Sequence, residues 1–159
     1  MPEAKILRHF ANDHDQLMVF FRIFQENKNR DFPRAKEFFK KFKICLQRHI
    51  VWEEEILFPL FEKKTGAIHA GPTVEMREEH RLIEEKLEIL HKRIQKNDSN
   101  SDTQEQALLH ILHEHNEREK LSFYPALNRI ISEADKINIF FRMNKMPEEK
   151  FKISCHSKQ

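Results

Sequence analysis

One sequence element occurs twice in this chain, and it constrains the fold more than any other feature. A histidine is followed thirty-five residues later by a His-x-x-x-Glu pair, and a proline stands six residues after the glutamate. Every residue of the second copy lies 66 positions after its counterpart in the first. The matched residues are His14, His49, Glu53 and Pro59, and His80, His115, Glu119 and Pro125. A repeat of fixed offset indicates a duplicated structural unit.

Apolar residues recur in steps of three and four along four stretches, which is the spacing of one face of an α-helix. The stretches cover residues 4–27, 35–60, 76–94 and 108–126. Segments with prolines, glycines or polar runs separate them, at 27–33, 65–72 and 97–103. The apolar faces are predicted to contain Leu7, Phe10, Leu17, Phe21, Phe24, Ala35, Phe39, Phe42, Leu46, Ile56, Leu60, Met76, Ile83, Leu87, Leu90, Ile94, Leu108, Leu112 and Ala126, with Ser122 at one further position.

Four such helices with short connections predict an all-α fold, an up-down-up-down antiparallel four-helix bundle. We expect this bundle to occupy residues 1–132. Residues 133–159 are predicted to form a short C-terminal fifth helix, over 136–146, and a basic tail. Pro147 would end the fifth helix because proline cannot continue one.

Charge and composition exclude several classes of protein. The net charge of +2 comes from 28 basic and 26 acidic residues that are interspersed, so no nucleic-acid footprint is expected. The sequence has neither the apolar run of a signal peptide nor a run of eighteen apolar residues, so no membrane segment is expected. Cys45 and Cys155 do not make a disulfide framework, which favours a reducing compartment. A cytoplasmic monomer or weak homo-oligomer is predicted.

The repeated histidines and glutamates fall on the predicted apolar faces, where a metal ion would explain them. A histidine and a glutamate four residues apart lie on the same side of a helix. Burying carboxylates without opposite charge costs several kcal/mol, and two cations, both bridged by each carboxylate, would remove that cost. Imidazole and carboxylate together suit iron, manganese or zinc. The predicted ligands are His14, His49, Glu53, His80, His115 and Glu119.

These six residues resemble the pattern of the hemerythrin-like, HHE cation-binding domain family, over residues 4 to about 131. The segments Leu57-Phe58-Pro59 and Phe123-Tyr124-Pro125 are similar to the apolar-proline ends of the family's two units. The resemblance implies a non-haem site of two iron ions with an oxo or hydroxo bridge, in which Glu53 and Glu119 bridge the ions. It also implies a protein that binds dioxygen or another small diatomic ligand, such as nitric oxide, or that senses oxygen or redox state.

Two departures separate the chain from oxygen-carrying hemerythrins. Those proteins have a fifth histidine where this chain has Glu84, and their last carboxylate is an aspartate five residues after its histidine. Here Glu119 follows His115 by four residues, which favours the wider bacterial branch of the family. The alternative is a di-iron redox enzyme acting on nitric oxide or peroxide, or an iron-centre repair or iron-handling protein in oxidative or nitrosative stress. No separate acid, base or nucleophile constellation supports an enzyme.

Other residues receive simpler interpretations. A ferritin-like site would need Glu-x-x-His on two helices, and only Glu88 and His91 have that spacing. A single zinc site is disfavoured because six candidate ligands exceed the number that one zinc ion needs. A haem held by two histidines is disfavoured because the paired glutamates would have no role there. Glu84 is predicted to accept a hydrogen bond from a ligand histidine, or to lie at the boundary with solvent, rather than to bind metal. Packing roles are expected for Tyr124 and Trp52, a buried apolar role for Cys45, and surface positions for His9, His69, His91, His110, His113 and His156.

Overall fold

The computed structural model describes residues 3–147, and within that range the chain is helical and has no strands. This confirms the all-α prediction. The α-helices are α1 (Glu3–Asn27), α2 (Phe32–Trp52), α3 (Phe58–Thr65), α4 (Pro72–Gln95), α5 (Asp102–Arg118), α6 (Tyr124–Ile130) and α7 (Glu133–Lys145). Two π-helical segments, π1 (Glu53–Leu57) and π2 (Glu119–Phe123), join α2 to α3 and α5 to α6.

The helices begin and end where the local sequence disfavours their continuation. Asp31 caps α2 by accepting a hydrogen bond from the backbone N–H of Arg34, 3.2 Å away. Gly66 ends α3 with a φ of 76°, a left-handed conformation that costs glycine little. Gly71, at φ 105°, precedes the proline that begins α4. The two glycines of the chain therefore set both ends of the connection between α3 and α4.

The interior consists of two apolar clusters. The Phe21 cluster contains Leu17, Phe20, Phe21, Phe24, Ala35, Phe39, Phe42, Cys45, Leu46, Ile50, Ile83, Leu87, Leu90, Ile94, Leu108 and Leu112. The Phe58 cluster contains Ile6, Phe10, Trp52, Ile56, Leu57, Phe58, Phe61, Met76, Phe123, Tyr124, Leu127, Ile131, Ile139 and Met143. Along α1, for example, His14 lies between Phe10 of one cluster and Leu17 of the other. The predicted ligands therefore lie in a polar layer between two regions of apolar burial.

Most of the predicted apolar faces are buried, but the predictions fail beyond the π segments. Leu60 and Ala126 are only partly buried and Ser122 is exposed, whereas Phe61, Phe123 and Leu127 are buried. In π1 the N–H of Phe58 bonds to the carbonyl of Glu53, five residues earlier, and Tyr124 bonds to Glu119 in the same way in π2. Each π turn inserts one residue, so the buried face moves by one position. A continuous α-helical period could not predict this shift.

Helix α7 is the predicted fifth helix, although it begins earlier than expected. Ser132 caps it through a capping box with Asp135. Ile139 and Met143 are buried, and the Nη2 of Arg142 donates to the carbonyl of Glu55 at 3.1 Å. That carbonyl lies four residues before Pro59, which has no N–H to offer it.

The remaining expectations concern the tail, the cysteines and membrane insertion. The predicted basic tail, with Cys155, lies outside the described residues apart from its first positions. Cys45 is buried as expected, but it is not a free thiol, so the cysteines no longer support the inference of a reducing compartment. Among the described helices, none has the length and apolar character needed to cross a membrane.

A buried ion pair joins the end of α1 to the start of α5. The ammonium of Lys28 lies 2.6 Å from Oε2 of Glu105, and both side chains are buried. Glu105 also accepts hydrogen bonds from Ser101 and Gln25, at 2.6 and 3.1 Å. Lys28 makes a second ion pair with Asp102, whose side chain is exposed. Burial lowers the pKa of Lys28, but its contacts with Asp102 and Glu105 raise it above its usual value, so Lys28 stays charged.

Replacing Glu105 with glutamine is expected to lower the free energy of unfolding by about 3 kcal/mol, because the buried ammonium of Lys28 loses its buried counter-charge. Urea denaturation followed by circular dichroism measures the change. The control is Asp102→Asn, which removes the exposed partner of the same lysine and should cost less than about 1 kcal/mol. Equal losses in the two variants would contradict the importance of the buried pair.

Candidate metal centre

All six residues predicted as metal ligands come together in the polar layer. They form two groups whose ligand atoms lie within 4.8 Å of one another. One group contains His14, His49 and Glu119, and the other contains Glu53, His80, His115 and Glu119. Both glutamates are completely buried, and His14 is the most exposed of the six, at 8%.

The His14 half of the centre is the part around His14 and His49. The two Nε2 atoms lie 3.1 Å apart. Oε1 of Glu119 is 3.2 Å from Nε2 of His14, and Oε2 of Glu53 is 3.2 Å from Nε2 of His49. Two imidazole nitrogens and one oxygen from each glutamate therefore face the same small volume.

The His80 half, around His80 and His115, receives the other oxygen of each glutamate. Oε1 of Glu53 is 2.9 Å from Nε2 of His80 and 4.0 Å from Nε2 of His115. Oε2 of Glu119 is 3.0 Å from Nε2 of His115. Each carboxylate thus lies between the two histidine pairs and presents one oxygen to each, which is the orientation that a carboxylate bridging two cations requires.

The π segments begin at the two glutamates of the centre. Glu53 is the first residue of π1, one turn after His49 in the last turn of α2. Glu119 begins π2 in the same relation to His115. Single π turns inside α-helices often occur at functional sites. Here they turn Phe58 and Tyr124, five residues after the glutamates, towards the centre.

A second ring of carboxylates orients the histidines from outside. Nδ1–H of His49 donates to Asp13 at 2.7 Å, and Nδ1–H of His115 donates to Glu79 at 2.6 Å. His80 has the same contact with Glu54, at 2.7 Å. These bonds hold each Nε2 towards the centre and make it a better electron-pair donor. Among the described residues, none bonds Nδ1 of His14.

Sequence reasoning missed this outer ring, although a signal for part of it was present. Asp13 and Glu79 are themselves 66 positions apart, and each directly precedes a histidine of the repeat. Extending the repeat by one residue would have found both. Glu54 has no such counterpart, because Lys120 stands 66 positions after it.

The buried charges stabilise one another. Burial raises the pKa of Glu53, but His49 and its other partners lower it well below its usual range. Burial lowers the pKa of His115, but Glu119, Glu53 and Glu79 raise it to about 11. The pKa of His49 is raised well above its usual value by Glu53 and Asp13, against the effect of burial. Burial and the charge of Glu53 raise the pKa of Glu119, but His115 lowers it, and the net shift is downwards. Both carboxylates are therefore ionised and are stabilised by positive charge beside them.

Two buried atoms of the His80 half test whether a cation fits. Nε2 of His115 and Oε2 of Glu119 are both buried and make no hydrogen bond within the described part of the chain, although they lie 3.0 Å apart. A buried polar atom without a partner costs about 1 to 3 kcal/mol. One cation bound to both atoms would satisfy them, and nitrogen and carboxylate oxygen are donors that transition metals accept. The residues present therefore fit a metal ion.

The predicted packing role of Tyr124 is correct for its ring but does not account for its hydroxyl. The ring is buried in the Phe58 cluster, but the hydroxyl lies 2.5 Å from Oε2 of Glu53 and 2.9 Å from Oε1 of Glu119. Burial raises the pKa of Tyr124, and the charges of Glu119 and Glu53 raise it further, well above its usual value. The available signal was that the sole tyrosine precedes Pro125, at the position that Phe58 occupies in the first copy.

The other candidate residues lie away from the centre. Glu84 is exposed and belongs to neither ligand group of the described residues. Glu54, and not Glu84, accepts the hydrogen bond from a ligand histidine that was one of the two alternatives for Glu84. Glu88 pairs with Lys43 at 3.7 Å, and His91 stacks on Phe39, so neither supports a ferritin-like site. The surface prediction is correct for His69, His110 and His113, wrong for the half-buried His9 and His91, and untested for His156, outside the described residues.

A helical protein whose interior gathers four histidines and two glutamates belongs to the class of helical metal-binding proteins. The family is also defined: the model of the hemerythrin HHE cation-binding domain matches residues 5–127, and the chain belongs to this family. Comparison with curated proteins and with solved structures finds no match.

Replacing Glu79 with glutamine is expected to weaken cation binding about 10- to 100-fold, because His115 loses the carboxylate that orients it and raises its basicity. Competition with a chromophoric chelator measures the affinity. The matched control is Glu78→Gln at the neighbouring position, where an exposed glutamate pairs with Arg81 on the surface. A similar loss of affinity in both variants would contradict a specific role for Glu79.

Proposed function

We propose that the protein holds two iron ions in a non-haem centre and binds dioxygen or another small diatomic ligand, such as nitric oxide, or senses oxygen or redox state. One observation carries the proposal: Glu53 and Glu119 each present one oxygen to each histidine pair. A single cation would need only one of these two sets. Two cations use all six residues and balance both buried carboxylates.

The proposal includes an up-down-up-down antiparallel four-helix bundle around the centre. Helix α1 packs mainly on α2, and α4 packs mainly on α5, as consecutive antiparallel neighbours would. Only six residues, 96–101, lie between α4 and α5, and four, 28–31, lie between α1 and α2. Short connections of this kind favour antiparallel neighbours.

The chain's own residues would fix the two metal positions. His14 and His49 would bind one ion, His80 and His115 the other, and Glu53 and Glu119 both. Bound iron would supply open coordination positions and a reversible change of oxidation state. With two histidines and two glutamate oxygens at each ion, about four of six octahedral positions are filled by these six residues. A small exogenous ligand has room to bind.

The apolar surroundings would select the kind of ligand that reaches the centre. The ring of Phe58 stacks on His80 with 5.5 Å between ring centroids, and Phe10 meets the edge of His49 at 5.3 Å. Both phenylalanines are completely buried. An apolar shell restricts water and ions at a metal site but admits small uncharged molecules. This favours diatomic gases over charged substrates.

Purified protein loaded with ferrous iron is expected to retain about two irons per chain, and Glu53→Gln is expected to lose most of both, because the two ions share that carboxylate. Elemental analysis after gel filtration measures the iron. The control is Glu55→Gln, two positions along the same π segment, where the side chain is exposed. A stable single iron per chain in wild-type protein would contradict the two-ion centre.

Exposing reduced, iron-loaded protein to dioxygen is expected to change its visible absorption spectrum within the mixing time, because a small ligand can take the open positions. Removing dioxygen then separates the functions. A return to the reduced spectrum indicates reversible binding. Permanent oxidation of the iron indicates a sensor or the alternative function, a di-iron redox enzyme or iron-handling protein. No spectral change in protein with full iron content would contradict binding of dioxygen.

A further inference from the structure

The hydroxyl of Tyr124 lies among the donor atoms of the His14 half. It is 2.5 Å from Oε2 of Glu53 and 2.9 Å from Oε1 of Glu119. It is also 3.2 Å from Nε2 of His49 and 3.5 Å from Nε2 of His14. These are the four atoms that face the first proposed cation, and the tyrosine is completely enclosed with them. The hydroxyl therefore shares the volume in which that cation would bind.

Among the described residues, none places an equivalent hydroxyl oxygen in the His80 half. Phe58 stands 66 positions before Tyr124, at the same place relative to its own glutamate and proline. Its ring stacks on His80 at an interplanar angle of 18°, much as the ring of Tyr124 stacks on His14 at 30°. The two aromatic rings thus occupy corresponding positions, and at these positions the halves differ by one hydroxyl group.

Packing alone does not explain why the hydroxyl of Tyr124 lies among the candidate ligand atoms. Phenylalanine fills the corresponding buried place in the other half, so the ring alone does not explain why an oxygen is buried between two carboxylates. A phenolate oxygen, however, is an anionic donor that iron accepts from protein tyrosine. Its four neighbours are themselves proposed donors to a single ion, and an oxygen this close to all four is within reach of that ion.

We propose that Tyr124 is a seventh protein ligand and binds the iron of the His14 half through its phenolate oxygen. This inference rests on the proposed two-iron centre. On binding, the O–H bond breaks heterolytically, the proton passes to buffer, and an oxygen lone pair forms the bond to iron(III). No oxidation state changes, so the step needs no oxidant or reductant.

The consequence is a centre with two unlike iron positions. The iron of the His14 half has five protein donors: two histidines, two glutamate oxygens and the phenolate. The iron of the His80 half has four, so it keeps more open positions of an octahedral set. An exogenous small ligand therefore binds on the side of His80 and His115.

The experiment is resonance Raman spectroscopy of the full chain loaded with iron and oxidised to iron(III), together with elemental analysis. Because the chain has one tyrosine, any ring vibration enhanced through a phenolate-to-iron transition belongs to Tyr124. Wild-type protein is expected to show these vibrations. Tyr124→Phe should lose them completely and keep its iron, since the two histidines and two glutamate oxygens remain. The matched control, Phe58→Leu, removes the corresponding aromatic ring and should retain the vibrations.

Three results would overturn the inference in distinguishable ways. Wild-type protein with two irons per chain and no tyrosinate vibrations leaves the two-iron centre intact and excludes Tyr124 as a ligand. Vibrations that persist in Tyr124→Phe would show that the signal has another origin. Wild-type protein without bound iron would overturn both this inference and the proposed function, and elemental analysis identifies that case before any spectrum is recorded.

Discussion

The burial of two carboxylates at the same level of the molecule is the constraint on which the rest of the structure depends. Glu53 and Glu119 are completely enclosed, and their mutual repulsion adds to the cost of desolvation. The four histidines surround these carboxylates, the outer carboxylates orient three of the histidines, and the two π turns begin at the glutamates themselves. The apolar clusters on either side exclude water, which strengthens every one of these electrostatic interactions.

The period of the apolar residues predicted the helical stretches as far as the π segments, and the repeat predicted the convergence of the six candidate ligands. His14, Glu53 and the others replace apolar residues on helical faces, and a helix has few ways to turn such a face away from the core. The position of Tyr124 could not be predicted in the same way. It depends on π2, a turn with one additional residue, and residue spacing alone does not reveal where such a turn occurs. The up-down order of the helices remains a proposal that packing pairs and short connections support.

The two copies of the repeat are alike in their inner ligands but only partly alike in the residues that surround those ligands. Asp13 and Glu79 are matched and do the same work for the two HxxxE histidines, so this part of the centre is symmetric. Glu54 orients His80, whereas its counterpart Lys120 is exposed and cannot accept a hydrogen bond. Phe58 and Tyr124 differ by the hydroxyl group. The two halves therefore share a framework of inner ligands and differ in the residues around it.

The division of the interior into two apolar clusters determines which conditions affect the stability of each part of the protein. In the described part of the chain, neither the Phe21 cluster nor the Phe58 cluster crosses the polar layer, so the helices are held together by apolar burial at two levels and by charge at the level between them. The outer levels respond to temperature and denaturant, as all apolar burial does. The middle level responds to the supply of cations. The cation supply therefore changes the stability of the polar layer, while the apolar clusters on either side are held by burial that does not depend on cations.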